Sequence, residues 1–202
     1  MRRLHIVWIV VVVLGLSVVP TMAQSGTIAT VIQNRSDSSM EFTILQEFLD
    51  AAPSVRNRLN RAGSYTIFAP DDRAFRNLEG ALGLDLSIIL EDIDVVTAIL
   101  EYHIIDTNLS AQMLRQRDGQ VIQTRLPNAF IGVRIDTEND MLVVNNVVEI
   151  IETNITANNG TIHVINDVLL NRVVNNLIDD RLRTQVSASP TTTVTPTSTP
   201  PL

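Results

Sequence analysis

Apolar residues change their period at Asp106, and that change restricts the fold more than any other feature of the chain. Before it they recur every three or four positions, as one face of a helix requires. After it they fall in short β-branched runs separated by turn residues. Ser38 followed by Glu41 reads as a capping box, and Phe42, Leu45, Phe48, Leu49, Ala52, Val55 and Leu59 then trace an amphipathic helix or helix pair. Pro53 marks a break or a first-turn position, and Ala62-Gly63-Ser64 ends the pattern. Tyr65 to Ala69 is a short strand stopped by Pro70, after which Asp71 caps a turn carrying Ala74, Phe75 and Leu78. Asp94 reads as a further cap, with Val95, Val96, Ile99, Leu100 and His103 on one side of its helix. Strands are then expected at Val121 to Thr124, Phe130 to Asp136, Met141 to Asn145, Val147 to Glu152 and Thr161 to Leu169. Thr137 to Asp140 fits a hairpin loop, and Asn158-Asn159-Gly160 supplies the positive φ values of a tight turn. Helices followed by a meander of strands predict an α+β domain, not alternating βαβ units.

The two ends have a different character. Arg2 and Arg3, the apolar run Ile6 to Val19 and then Thr21-Met22-Ala23 have the order of a secretory leader cleaved after Ala23. The alternative is a retained anchor, but a spanning helix needs roughly 20 apolar residues and the run is shorter. A signal peptide is therefore expected at 1–23, with the domain exported to the cell surface, the periplasm or the medium. Residues 187–202, SASPTTTVTPTSTPPL, have almost nothing to bury and are expected to be a disordered spacer. Between domain and tail, 174–186 are expected to be a short helical or irregular extension. The chain carries a formal charge of -7, and losing Arg2 and Arg3 makes it -9. That balance argues against nucleic acid and anionic membrane surfaces as partners. With no cysteine, disulfides, thiolate metal sites, cysteine nucleophiles and a lipoprotein anchor are all excluded.

Tyr65-Thr66-Ile67-Phe68-Ala69-Pro70-Asp71-Asp72-Arg73-Ala74-Phe75 resembles the first signature of fasciclin (FAS1) domains. Tyr102-His103 falls at that family's Tyr-His motif, and Asn159 to Leu170, with Gly160, Ile162, His163, Val164 and Ile165, is similar to its second signature. The departures are Asp71 where Thr is common, Asn166 where Asp is common, and Asn171 where Pro often closes the domain. The resemblance implies a wedge-shaped β-sandwich with several helices packed on one side, at 26–173, used in extracellular adhesion. Phe68, Ala69, Pro70, Asp71, Phe75, Gly160 and the run from Ile162 to Ile165 are then chiefly fold-making residues. It also implies a recognition role for Tyr102 and His103, a region linked in the family to integrin-type receptor adhesion.

Outside the leader the chain has only His103 and His163, so any imidazole chemistry must use these two. His103 lies on the apolar side of its helix, which suits a ring bonded to a nearby polar group as well as it suits presentation to a receptor. His163 alternates with Ile162 and Val164, so it is expected on the strand face opposite theirs. No HExxH spacing, G-x-S-x-G elbow or phosphate-cradling glycine pattern is present, so no catalytic residue, metal or cofactor is expected. Asp71-Asp72 and Glu91-Asp92 with Asp94 could pair as carboxylates or bind calcium, but capping accounts for Asp71 and Asp94. Asn34, Asn108, Asn154 and Asn159 each open an N-x-Ser/Thr sequon. The expected function is a non-catalytic module binding an extracellular protein or glycan, with weak self-association as a further expectation. The alternative is an exported small-molecule or polysaccharide-binding domain.

Overall fold

The structure, a computed structural model, describes residues 26–39 and 41–183. The leader, the Thr/Pro-rich tail and the last residues of the expected extension lie outside the described residues. Three helices open the fold: α1 (Ile28–Ser39), α2 (Thr43–Ala51) and α3 (Pro53–Leu59). Strand β1 (Tyr65–Pro70) separates them from α4 (Asp72–Leu82), α5 (Leu86–Glu91) and α6 (Ile93–Tyr102). After β2 (Ile104–Ile105) and α7 (Ala111–Arg115) come β3 (Val121–Gln123), β4 (Phe130–Asp136), β5 (Met141–Val144), β6 (Val148–Ala157) and β7 (Gly160–Ile165). Helix α8 (Arg172–Ile178) follows and passes into a π-type turn at Asp179–Arg183.

The capping chemistry agrees with the sequence at some ends and corrects it at others. Asp71 Oδ1 accepts from Ala74 N at 2.7 Å and Gly83 closes α4 at φ 63°, a left-handed cap that glycine adopts without a Cβ penalty. Pro53 occupies the first turn of α3, where its missing N–H costs nothing. The expected capping box at Ser38 does not start a helix, because Ser38 lies inside α1, whose Ile28, Val31 and Ile32 are buried at helical spacing. Helix α2 begins at Thr43 instead, and its free Ile44 N–H is satisfied from across the fold by Asp72 Oδ1 at 2.9 Å. Likewise Asp92, not Asp94, caps α6, accepting from Asp94 N and Val95 N. Asp94 stands in the first turn and pairs with Arg181.

The strands run β2-β1-β7-β6-β5-β4-β3. Strand β1 pairs in parallel with β7 from Tyr65↔Gly160 to Pro70↔Ile165, so the first and last strands of the domain lie side by side. A meander predicts only antiparallel neighbours; the elements between β1 and β7 supply the long crossover that a parallel pair needs. Strand β6 joins β5 at one end and β7 at the other, with register shifts around Glu152 that bend it between the two. Beyond β3, Arg125 N donates to Ile104 O at 2.8 Å and Leu126 N to Glu101 O at 3.1 Å, tying the far edge back to the β2 side and nearly closing the sheet. The core is continuous from Ile28 in α1 to Leu182 in the π-type turn. Val174, Ile178 and Leu182 are buried in it, so the segment after 173 packs onto the domain as far as it is described.

Candidate recognition site

Every signature residue singled out from sequence lies in or directly against this core. Phe68, Ala69, Ile162, His163, Val164 and Ile165 are fully buried, and Phe75 packs on Phe48 with ring centroids 4.7 Å apart. Strand β7 is covered on both sides, so His163 does not face a different environment from Ile162 and Val164; all three are interior. Gly160 is required by contact: a Cβ there would overlap the Tyr65 carbonyl of the parallel neighbour.

The two histidines are held in opposite tautomers. His103 Nε2 accepts from Leu169 N at 2.9 Å, so Nδ1 carries the proton and donates to Ile99 O at 2.7 Å. Burial lowers its pKa to about 4, opposed only in part by the bond to Ile99. His163 does the reverse. Its Nε2 donates to Leu109 O at 2.9 Å while Nδ1 accepts from Asn154 N at 3.4 Å, and its ring lies 5.9 Å from Phe68. Burial lowers this pKa too. Both rings are therefore neutral near pH 7, with both nitrogens engaged by backbone.

Tyr102 is 2% exposed and His103 1%, so neither side chain of the Tyr-His pair reaches solvent as a contact surface. The Tyr102 hydroxyl donates to Phe130 O and accepts from Asn145 Nδ2, each at 3.0 Å, and burial raises its pKa. The hydroxyl thus ties the end of α6 to Phe130 in β4 and to Asn145 in the turn after β5.

Four of the five clustered carboxylates, all but Glu91, are also engaged. Asp71 and Asp72 accept from helix amides, and Asp92 and Asp94 share Arg181. Among the sequons, Asn159 is buried, with Oδ1 accepting from Ile28 N and Nδ2 donating to Leu59 O and Arg61 O. Asn154 holds a left-handed φ of 62° at the bent part of β6.

What remains exposed defines the surface available for recognition. Val121, Phe130 and Val147 stand out from the face of β3, β4 and the β5–β6 turn at 70%, 52% and 77% exposure. A polar hollow of about 360 Å³ lies between α1, α2 and α3, lined by Gln33, Gln46, Asp50, Arg56, Asn57 and Asn60. Sequence reasoning missed both surfaces. The alternation along β4 marks Phe130 as facing away from Ile131, but not which of the two faces the rest of the chain covers.

An α+β domain whose first and last strands pair in parallel, with its most distinctive residues turned inward, defines a scaffold class. The Fasciclin domain family model matches residues 40–171, and the chain belongs to that family. It is 28% identical over 140 residues to human periostin, covering 63% of this chain and 16% of that protein. To the pig transforming growth factor-beta-induced protein ig-h3 it is 28% identical over 155 residues, 73% of this chain and 22% of that one. The chain thus spans less than a quarter of either relative. Protein sll1483 of Synechocystis is 27% identical over 159 residues, 76% of this chain and 80% of its own. Among solved structures, a FAS1 domain pair from the insect cell adhesion molecule fasciclin I superposes with a TM-score of 0.57 at 20% identity, covering 74% of this chain and 52% of that one. The fasciclin-type α+β architecture expected from the signatures is the one present. Among the described residues no helix is long and apolar enough to cross a membrane.

Proposed function

We propose that the chain works outside the cytoplasm as a non-catalytic interaction module that binds a protein partner through its outer strands. The observation that carries this reading is the engagement of both imidazoles by backbone groups. A general base or metal ligand needs a ring nitrogen free to meet substrate or ion, and neither ring has one. Membership of a family that includes a domain pair from an insect cell adhesion molecule supports the same reading. The leader and the Thr/Pro-rich tail fit an exported module held away from a surface by a spacer. A glycan partner, or the alternative of polysaccharide binding, has one observation in its favour: the amide-rich hollow between α1, α2 and α3 carries the donors and acceptors that hydroxyl groups need.

The chain contains no lysine, so amine coupling attaches it through the N-terminus alone and modifies no side chain of the domain. Coupled in this way and exposed to extracellular proteins and glycans of its source, the full chain is expected to retain a saturable partner. Turnover of an ester, peptide or glycoside substrate that disappears in folded His103→Ala would contradict the reading.

A further inference from the structure

Two hollows lie side by side on the outer face of β3, β4 and β5. One, of about 540 Å³, lies over the stretch from Asp118 to Val121 together with Gly132 and Asn145; the other, of about 350 Å³, lies over Asp136, Glu138, Val143 and Val147. Arg134 and Asn146 line both hollows, so the two share a wall and together make one grooved face across the strands.

Gly132 sits in its floor. Its φ is not left-handed, and a Cβ added there would meet no atom within 4 Å. Neither backbone conformation nor packing inside the domain therefore calls for glycine, which weakens a strand. A glycine in such a place leaves room for something outside to approach the backbone. Val121, its partner across the ladder, and the nearby Phe130 and Val147 are the exposed apolar groups already noted.

The groove is also acidic. Asp118, Asp136, Glu138 and Glu149 line it against Arg134 alone; Asp118 accepts from Ile135 N, Asp136 from Glu138 N and Asn139 Nδ2, and Glu149 from Asn166 Nδ2, but none of the five makes an ion pair among the described residues, so the negative charge is uncompensated. Its shape is fixed from below. Asn145 accepts from Gly132 N through Oδ1 at 3.0 Å and donates through its own N to Gly132 O at 2.8 Å. Its Nδ2 bonds the Tyr102 hydroxyl, which in turn holds Phe130 O. A site already rigid loses less entropy on binding.

We propose that this groove docks an extended basic segment of a partner protein. An apolar side chain of that segment fills the opening over Gly132, and its cations meet the four carboxylates. The proposal rests on the interaction-module reading and deepens it. A second copy of this chain is a poor occupant, because a net charge of -7 brings like charge to an acidic groove.

The test is a fluorescence-anisotropy titration of the full chain with an octapeptide alternating Lys and Val, beside peptides alternating Glu and Val or Lys and Ser. The Lys-Val peptide is expected to bind saturably, more tightly than the other two, and more weakly as salt rises. Gly132→Leu, which fills the opening, is expected to weaken binding at least about tenfold with no loss of melting temperature. Glu138→Gln and Val147→Ser, both on the exposed face, are expected to weaken it as well, and they carry the test if Gly132→Leu folds poorly. Equal binding of all three peptides, no binding, or binding indifferent to these substitutions would overturn the groove. So would a concentration-dependent dimer that Gly132→Leu abolishes, which would give the groove to a second copy. Capture of a partner by the wild-type chain that persists in Gly132→Leu overturns the groove and leaves the module reading standing; failure of the wild-type chain to capture any partner overturns both.

Discussion

His103 shows how a single buried ring couples stability to pH. Its pKa is about 4 in the fold against an ordinary 6.5, so the unfolded chain takes up a proton at this site well before the folded one does. The stabilisation is complete above pH 6.5 and is lost progressively as pH falls from there towards 4. A shift of this size corresponds to roughly 3 kcal/mol at most, and His163 adds to it in the same direction. Urea midpoints measured at pH 7.5 and 5 are expected to fall on acidification in the wild type and to fall less in folded His103→Gln. Tyr102→Phe removes a hydroxyl that bonds Phe130 and Asn145 and is expected to cost about 1–2 kcal/mol, read by the same denaturation.

Caps and closing helices carry the predictions for individual elements. Asp92→Ala leaves two amides of α6 unpaired and is expected to cost about 1–2 kcal/mol. Asp94→Ala removes only an exposed pair with Arg181 and is expected to cost less than about 1 kcal/mol, so the order of the two melting temperatures tests which residue is the cap. A chain ending at Asn171 loses the buried Val174, Ile178 and Leu182, each contributing about 1.5–3 kcal/mol, and is expected to melt well below the full chain in a thermal scan. The sequence showed α2, α3, α4 and the β4–β5 hairpin because their signals are local: a proline, a cap, a four-residue turn. It did not show α1, whose apolar stripe is short and whose second half is polar. Nor did it show the β1–β7 pairing or the cap that Asp72 supplies to Ile44, because both join residues far apart in the chain.

The molecule as a whole folds by bringing its two signature segments together, and this is why they are recognisable. Strands β1 and β7 are neighbours, and the loop after β7 returns to His103 through Leu169. What the signatures specify is the interior, which explains why they identified the architecture and left the outer face of β3, β4 and β5 unread. The apolar side chains exposed there, Val121, Phe130 and Val147, belong to neither signature. The most direct measurement is nitrogen-detected NMR of the two imidazoles in the folded chain between pH 7.5 and 5. His103 is expected to be a neutral Nδ1–H ring across that range, and His163 a neutral Nε2–H ring at pH 7.5 that takes up its proton below the ordinary imidazole range. A ring that titrates near its ordinary pKa, or that exchanges between tautomers, would contradict an interior held together by these two residues and leave a nitrogen free for chemistry.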